Sequence, residues 1–145
     1  MNGFPLDTNV PSELMRPVPE PRVTAWLEAA DDEQLYFSVV SLGEVVKGIS
    51  LLDSGRKRNE LEKWLEITLR PWFGVRILPV DEAVAARWGV LSAQSEQQGR
   101  KRKVADGMIA ATALVYDLTV VTRNVNDFAG LGVGIFNPWD GVLTK

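Results

Sequence analysis

The chain has 145 residues, 46% hydrophobic and 24% charged, the size and balance of one globular domain spanning 1–145. It contains no cysteine and no histidine, which excludes disulfides, thiolate zinc sites, thiol nucleophiles and the Ser-His-Asp arrangement. A net charge of −3 argues against a protein that coats nucleic acid indiscriminately. No apolar run approaches the roughly 18 residues of a membrane span. The start, MNGFPLDTNV, lacks the basic-then-apolar pattern of a secretory signal, so the expected location is the cytoplasm.

In chain order, Phe4-Pro5-Leu6 reads as a short first strand ending at Asp7. Pro5 removes a ladder donor, so pairing there is expected to begin only at Leu6. Asp7-Thr8-Asn9 can form a turn and cap, and Pro11 suits the first helical position. Prolines in Arg16-Pro17-Val18-Pro19-Glu20-Pro21 forbid regular structure; residues 22–30 then hold a short helix. Residues 35–39 are rich in aromatic and branched side chains, a strand by propensity. Residues 41–52 are helical in period, and Ser41-Leu42-Gly43-Glu44 fits a capping box that would occupy Glu44 structurally. Residues 57–73 place Leu61, Trp64, Leu65, Thr68, Leu69 and Trp72 on one stripe, mostly core by its spacing. Further strands are expected at 75–80, 119–122 and 134–137, with helices at 81–98 and 104–116. Alternating strands and helices imply an α/β sandwich around a parallel sheet of about five strands. Ligands in such sheets bind beyond the carboxyl ends of the strands.

Four acids are expected near that crevice. Asp7 ends the first strand, Glu44 lies in the first turn after the second, and Asp127 follows the fourth. Asp106 opens the helix before the fourth strand and shares a face with Ile109, Ala110, Ala113 and Leu114. An ionised carboxylate on an apolar face is costly unless a cation or several donors meet it. Each acid has a plain structural alternative: a turn for Asp7, the capping box for Glu44, a helix dipole for Asp106, a loop for Asp127. Those alternatives do not explain convergence. Two carboxylates about 5 Å apart repel by roughly 3 kcal/mol at an effective dielectric near 20, so a cluster must take up protons or hold a cation. All-oxygen ligation suits Mg²⁺ or Mn²⁺. The basic run Arg100-Lys101-Arg102-Lys103 beside Asp106 fits a phosphate-rich substrate. A second cluster, Arg56-Lys57-Arg58, reads as a solvated helix end.

LDTNV, SVVSLGEVVKGI, ADGMIAATALVYDLTVVTRNVNDF and IFNPW, in this order across nearly the whole chain, resemble the PIN-domain ribonucleases, and more narrowly the VapC/FitB-type toxins of toxin–antitoxin pairs. The resemblance implies a five-stranded parallel sheet flanked by helices and Mg²⁺- or Mn²⁺-dependent cleavage of RNA. It also implies a homodimer and neutralisation by a cognate antitoxin. Asp7, Glu44 and Asp106 match the three invariant acids of that pattern. Asp127 is assigned as the fourth acid, with Asn124 a neutral stand-in where some members carry an acid after the Thr-Arg pair. On this reading Asp7 and Asp106 bind the metal, and Glu44 and Asp127 complete or orient its shell. Thr8, Asn9 and Thr122 hydrogen-bond the acids or the substrate, while Arg123 and residues 100–103 contact the RNA backbone. The helix carrying Trp64 and Trp72 is the expected antitoxin groove if part of its stripe stays exposed. Competing classes are an RNA-binding module with a structural ion, a DNA-directed nuclease, and a phosphatase with Asp7 as nucleophile. The last wants a second acid where Asn9 stands.

Overall fold

The computed structural model describes residues 3–145. Strands β1 (Phe4–Pro5), β2 (Leu35–Ser38) and β3 (Ile77–Leu78) pair in parallel, in the order β1-β2-β3. Strands β4 (Thr119–Val121), β5 (Gly134–Asn137) and β6 (Val142–Thr144) form a second group, with β4 and β5 parallel and β6 antiparallel to β5. A single parallel bridge, Leu6 to Val121, joins the two groups.

The α/β class is as expected, but the strands are not the expected set. β6 was not anticipated because all three of its residues are exposed, so it carries no alternating apolar signal. A tight turn creates it: Gly141 adopts φ +75°, a conformation side chains disfavour, and Asp140 Oδ1 accepts from the Val142 amide at 2.9 Å. Only two residues of the 75–80 segment pair, because residues 74–76 wind into a 3₁₀ turn.

Pro5 acts on one side only. Successive strand amides point to opposite edges, and the Leu6 N–H donates to Tyr36 O at 2.9 Å. The missing donor of Pro5 therefore faces β4, not β2. Pairing with β2 runs through Phe4 and Pro5, against the expectation that it starts at Leu6; toward β4 the Thr119 amide already donates to Gly3 O ahead of the bridge at Leu6.

Seven α-helices lie among the described residues: α1 (Asn9–Glu13), α2 (Pro21–Ala29), α3 (Val39–Ser50), α4 (Arg56–Trp64), α5 (Arg70–Phe73), α6 (Glu82–Gln97) and α7 (Val104–Val115). None is long and apolar enough to cross a membrane. Pro11 sits third in α1, where an amide still lacks an intrahelical partner. The predicted stripe at 57–73 is broken by a π turn over Leu65–Leu69, in which the Arg70 amide reaches back to Leu65 O. Pro71 has no N–H to offer the Ile67 carbonyl, and the widened turn absorbs the defect. Leu65, Leu69 and Phe73 become buried, while Thr68 is left exposed.

Two apolar cores lie on opposite faces of the sheet. Leu35, Phe37 and Val121 point to one, with Val23, Val45 and Leu69. Val120 and Ile135 point to the other, with Val84, Leu91, Ile109 and Ala113. The period-2 alternation of the strands thus buries both faces. In the second core Trp88 of α6 lies against Gly107 of α7, where a Cβ would sit 3.0 Å from the indole.

Candidate metal centre

Asp7 sits where β1 passes β4, its amide donating to Val121 O at 2.8 Å. Its carboxylate meets three donors: Thr8 N at 2.9 Å, Thr122 Oγ1 at 2.8 Å and Asn9 Nδ2 at 3.2 Å. Thr122 is fully buried, and its Oγ1 also accepts from the Asn124 amide at 2.9 Å. Asn9 Oδ1 receives the Arg123 amide at 3.3 Å. The segments after β1 and β4 are thereby locked together around one carboxylate. Burial pushes the Asp7 pKa up, the Thr122 and Thr8 hydrogen bonds pull it back, and Asp127 adds repulsion.

Glu44 is not a capping residue. α3 begins at Val39, capped by Ser38 Oγ accepting from the Val40 amide at 3.0 Å, and Ser41 Oγ is buried without a partner among the described residues. The helix starts early because Ser38 ends β2 directly, which places Glu44 beyond the first turn. Its carboxylate instead accepts from Thr8 Oγ1 at 3.1 Å. Desolvation raises its pKa, Thr8 lowers it, and Asp7 raises it again.

Asp106 lies in the first turn of α7, and its carboxylate accepts no hydrogen bond from the described residues. Its pKa is pushed up to about 6, first by burial and then by the charges of Asp127, Asp7 and Glu44; Lys103 opposes them. Asp127 ends a 3₁₀ turn, Val125–Asp127. The four acids therefore occupy one electrostatic neighbourhood. Among the described residues no three are drawn together as a ready-made cage. Mg²⁺ normally takes one or two protein carboxylates and retains several waters, so a looser, all-oxygen set with an excess of negative charge fits it. Zinc would want nitrogen or sulfur ligands.

The basic run divides. Arg100 donates to Ala129 O and Asn126 O, and Arg102 to Ser95 Oγ, Asp127 O and Ala129 O. Both guanidinium groups hold the loop that carries Asp127. Lys101 and Lys103 are exposed, and Lys103 faces the acids. Arg123 lies over the Trp139 ring, 5.4 Å from its centroid. Asn124 is exposed next to it. Arg56 and Arg58 pair with Glu60 and Glu62 one turn on, the solvated helix start expected of them. Sequence reasoning missed Asn126, Asn137 and Asp140, which line a cavity with Asp127. Their only trace in the sequence is turn chemistry in Asn-Val-Asn-Asp and Asn-Pro-Trp-Asp.

The PIN domain model matches residues 5–132. The chain belongs to the PIN-domain family. This PIN domain is 44% identical over 134 residues to Toxin FitB of Neisseria gonorrhoeae, covering 92% of this chain and 96% of that protein. It is 36% identical over 135 residues to VapC ribonuclease Y4jK of Sinorhizobium fredii, covering 93% and 96%. Among solved structures it matches FitAcB from Neisseria gonorrhoeae with a TM-score of 0.87 and 43% identity, over 94% of this PIN domain and 98% of that chain.

Proposed function

We propose that this PIN domain is a metal-dependent endoribonuclease, the toxin of a toxin–antitoxin pair. The observation that carries the reading is the gathering of Asp127, Asp7 and Glu44 about the half-buried Asp106. Burial first, and then the repulsion of those three acids, raises Asp106 to about 6, and none of the described residues donates a hydrogen bond to its carboxylate. Similarity to a FitB toxin and a VapC ribonuclease supports the same activity.

Asp7 and Asp106 would hold Mg²⁺ or Mn²⁺, with Glu44 and Asp127 completing or orienting its surroundings. Such an ion would supply Lewis acidity at the scissile phosphate and would make water more acidic. Thr122, Thr8 and Asn9 fix the Asp7 oxygens, leaving Asp7 little freedom to reorient. The chain has no histidine, so a carboxylate takes the proton of the attacking water. Glu44, exposed and steadied by Thr8, is suited to that step. Lys103 offers a positive charge to the RNA backbone. Asn9 donates to Asp7 where an Asp-nucleophile phosphatase needs a second acid, which disfavours that alternative.

A mainly apolar groove of about 730 Å³ adjoins Glu44 and Thr8, lined by Met15, Val45, Ile49, Leu61 and Trp64. It supports an antitoxin segment docking beside the acids. Trp72 belongs elsewhere, donating to Asp32 and stacking on Phe73. In a pull-down, Trp64→Ala is expected to weaken antitoxin capture and Trp72→Ala to leave it intact. A homodimer and a cytoplasmic site of action belong to the same reading. The deciding experiment is cleavage of a mixed RNA pool with Mg²⁺, Mn²⁺ or EDTA, alongside Asp106→Asn. Cuts at discrete positions requiring both metal and Asp106 are expected; RNA binding without cleavage would replace the enzyme with a binding module.

A further inference from the structure

A polar cavity of about 710 Å³ opens beside the acids, between the loop after β4 and the β5–β6 hairpin. Asp127 belongs to both the acid cluster and this cavity, so a substrate strand whose phosphate reaches the acids passes its mouth. We propose that the cavity receives the nucleobase adjoining the scissile phosphate and selects it by its hydrogen-bonding edge. The proposal rests on the ribonuclease reading and adds to it a specificity determinant.

Charge decides which part of a nucleotide enters. Asp127 and Asp140 both line the cavity, and two carboxylates disfavour a phosphate while accepting from N–H groups. Asn124 and Asn126 also line it, and their side-chain amides make no hydrogen bond among the described residues. Each amide offers a donor pair and an acceptor, the complement of a base edge. Arg123, stacked over Trp139, supplies a flat cationic surface for a base to lie on.

The walls are fixed before any substrate arrives. Arg100 and Arg102 grip the carbonyls of Asn126, Asp127 and Ala129 from behind. On the far side Asn137 Oδ1 accepts from the Trp139 amide at 2.8 Å, and Asn137 Nδ2 donates to Asp140 Oδ2 at 3.3 Å. A pocket rich in acceptors favours bases that carry an exocyclic amino group: guanine, adenine or cytosine. It disfavours uracil, whose edge sets a single N–H between two carbonyls.

The test maps cut positions in a randomised RNA pool by sequencing, with wild type, Asp140→Asn and Asn126→Ala. Wild type is expected to avoid uridine at one fixed position next to the cut. Asp140→Asn should relax that avoidance about tenfold, the scale of one lost base contact, and Asn126→Ala should alter the base preference at the same position. Asn126 is exposed, so its variant keeps the fold, which the melting temperature verifies. Cleavage without a base preference, or with the same preference in both variants, overturns the pocket and leaves the ribonuclease reading standing. Absence of cleavage by wild type overturns the ribonuclease reading and the pocket with it.

Discussion

At the end of β1 three donors converge on Asp7; at the start of α7 none among the described residues reaches the Asp106 carboxylate. Both carboxylates are drawn away from water, and burial is the largest cause of the raised pKa of each. The fold answers the cost at Asp7 with Thr122, Thr8 and Asn9, because hydrogen bonds to a carboxylate favour its charged form. At Asp106 it answers only with the charges of Lys103 and Arg102, and adds three acids. Donors thus offset part of the cost at Asp7, whose pKa still stands above its ordinary value, and leave Asp106 the more costly of the two charges.

The largest effect that would sharpen this contrast is catalytic. Asp7→Asn and Asp106→Asn are each expected to lower metal-dependent RNA cleavage at least about a hundredfold, more than loss of an outer partner. Near-wild-type rates in either would remove that residue from the centre. Stability should separate the two residues where activity does not. Asp7→Ala strands the Thr122 hydroxyl and the Thr8 amide, and should cost about 1–3 kcal/mol in metal-free denaturant unfolding. Asp106→Asn removes an unrelieved charge and should raise the metal-free melting temperature at neutral pH. A fall for Asp106→Asn would mean that the charge is met by something not described here.

A smaller effect follows from pH. The Asp106 carboxyl stands at about 6 in the folded protein against an ordinary 3.8, so the folded chain holds a proton that the unfolded chain has released. That stabilisation is complete below the unfolded value and is lost as pH rises through about 6. Between about pH 4 and pH 7, metal-free wild type should lose more thermal stability than Asp106→Asn, and Mg²⁺ should narrow the gap. Parallel curves would argue against an uncompensated Asp106. The smallest effect is expected from Thr8→Val. It frees Glu44 but leaves the Thr8 amide on Asp7, and should reduce cleavage about tenfold, the lower end for an orienting contact.

Periodicity alone marked Asp106 as anomalous, because Ile109, Ala110 and Ala113 on its face are all fully buried. Glu44 was harder to read. Ser41-Leu42-Gly43-Glu44 satisfies the spacing of a capping box, and only the start of α3 at Val39 removes that reading. The π turn was illegible because its cause, the carbonyl that Pro71 leaves unpaired, does not interrupt the apolar spacing around it. Nor does sequence proximity reveal where a cation is directed: Arg100 and Arg102 lie beside Asp106 in the chain yet turn toward carbonyls of the 126–129 loop. β6 lacks a buried face and owes its existence to the Gly141 turn, so hydrophobic patterning had nothing to report.

Pro5 leaves the sheet with a weak joint. Across it, backbone bonds run from Asp7 N to Val121 O and from Thr119 N to Gly3 O, with a gap where the proline stands. Asp7 and Glu44 belong to the β1–β3 side of this joint, and Asp106 and Asp127 to the side of β4. The acids thus sit on two half-sheets, and their mutual repulsion works against the seam that the Thr122–Asp7 and Asn9–Thr122 hydrogen bonds hold shut. On the proposed reading, a cation held between the acids would act as a rivet, so withdrawing it would loosen the frame of the molecule as well as silence the site.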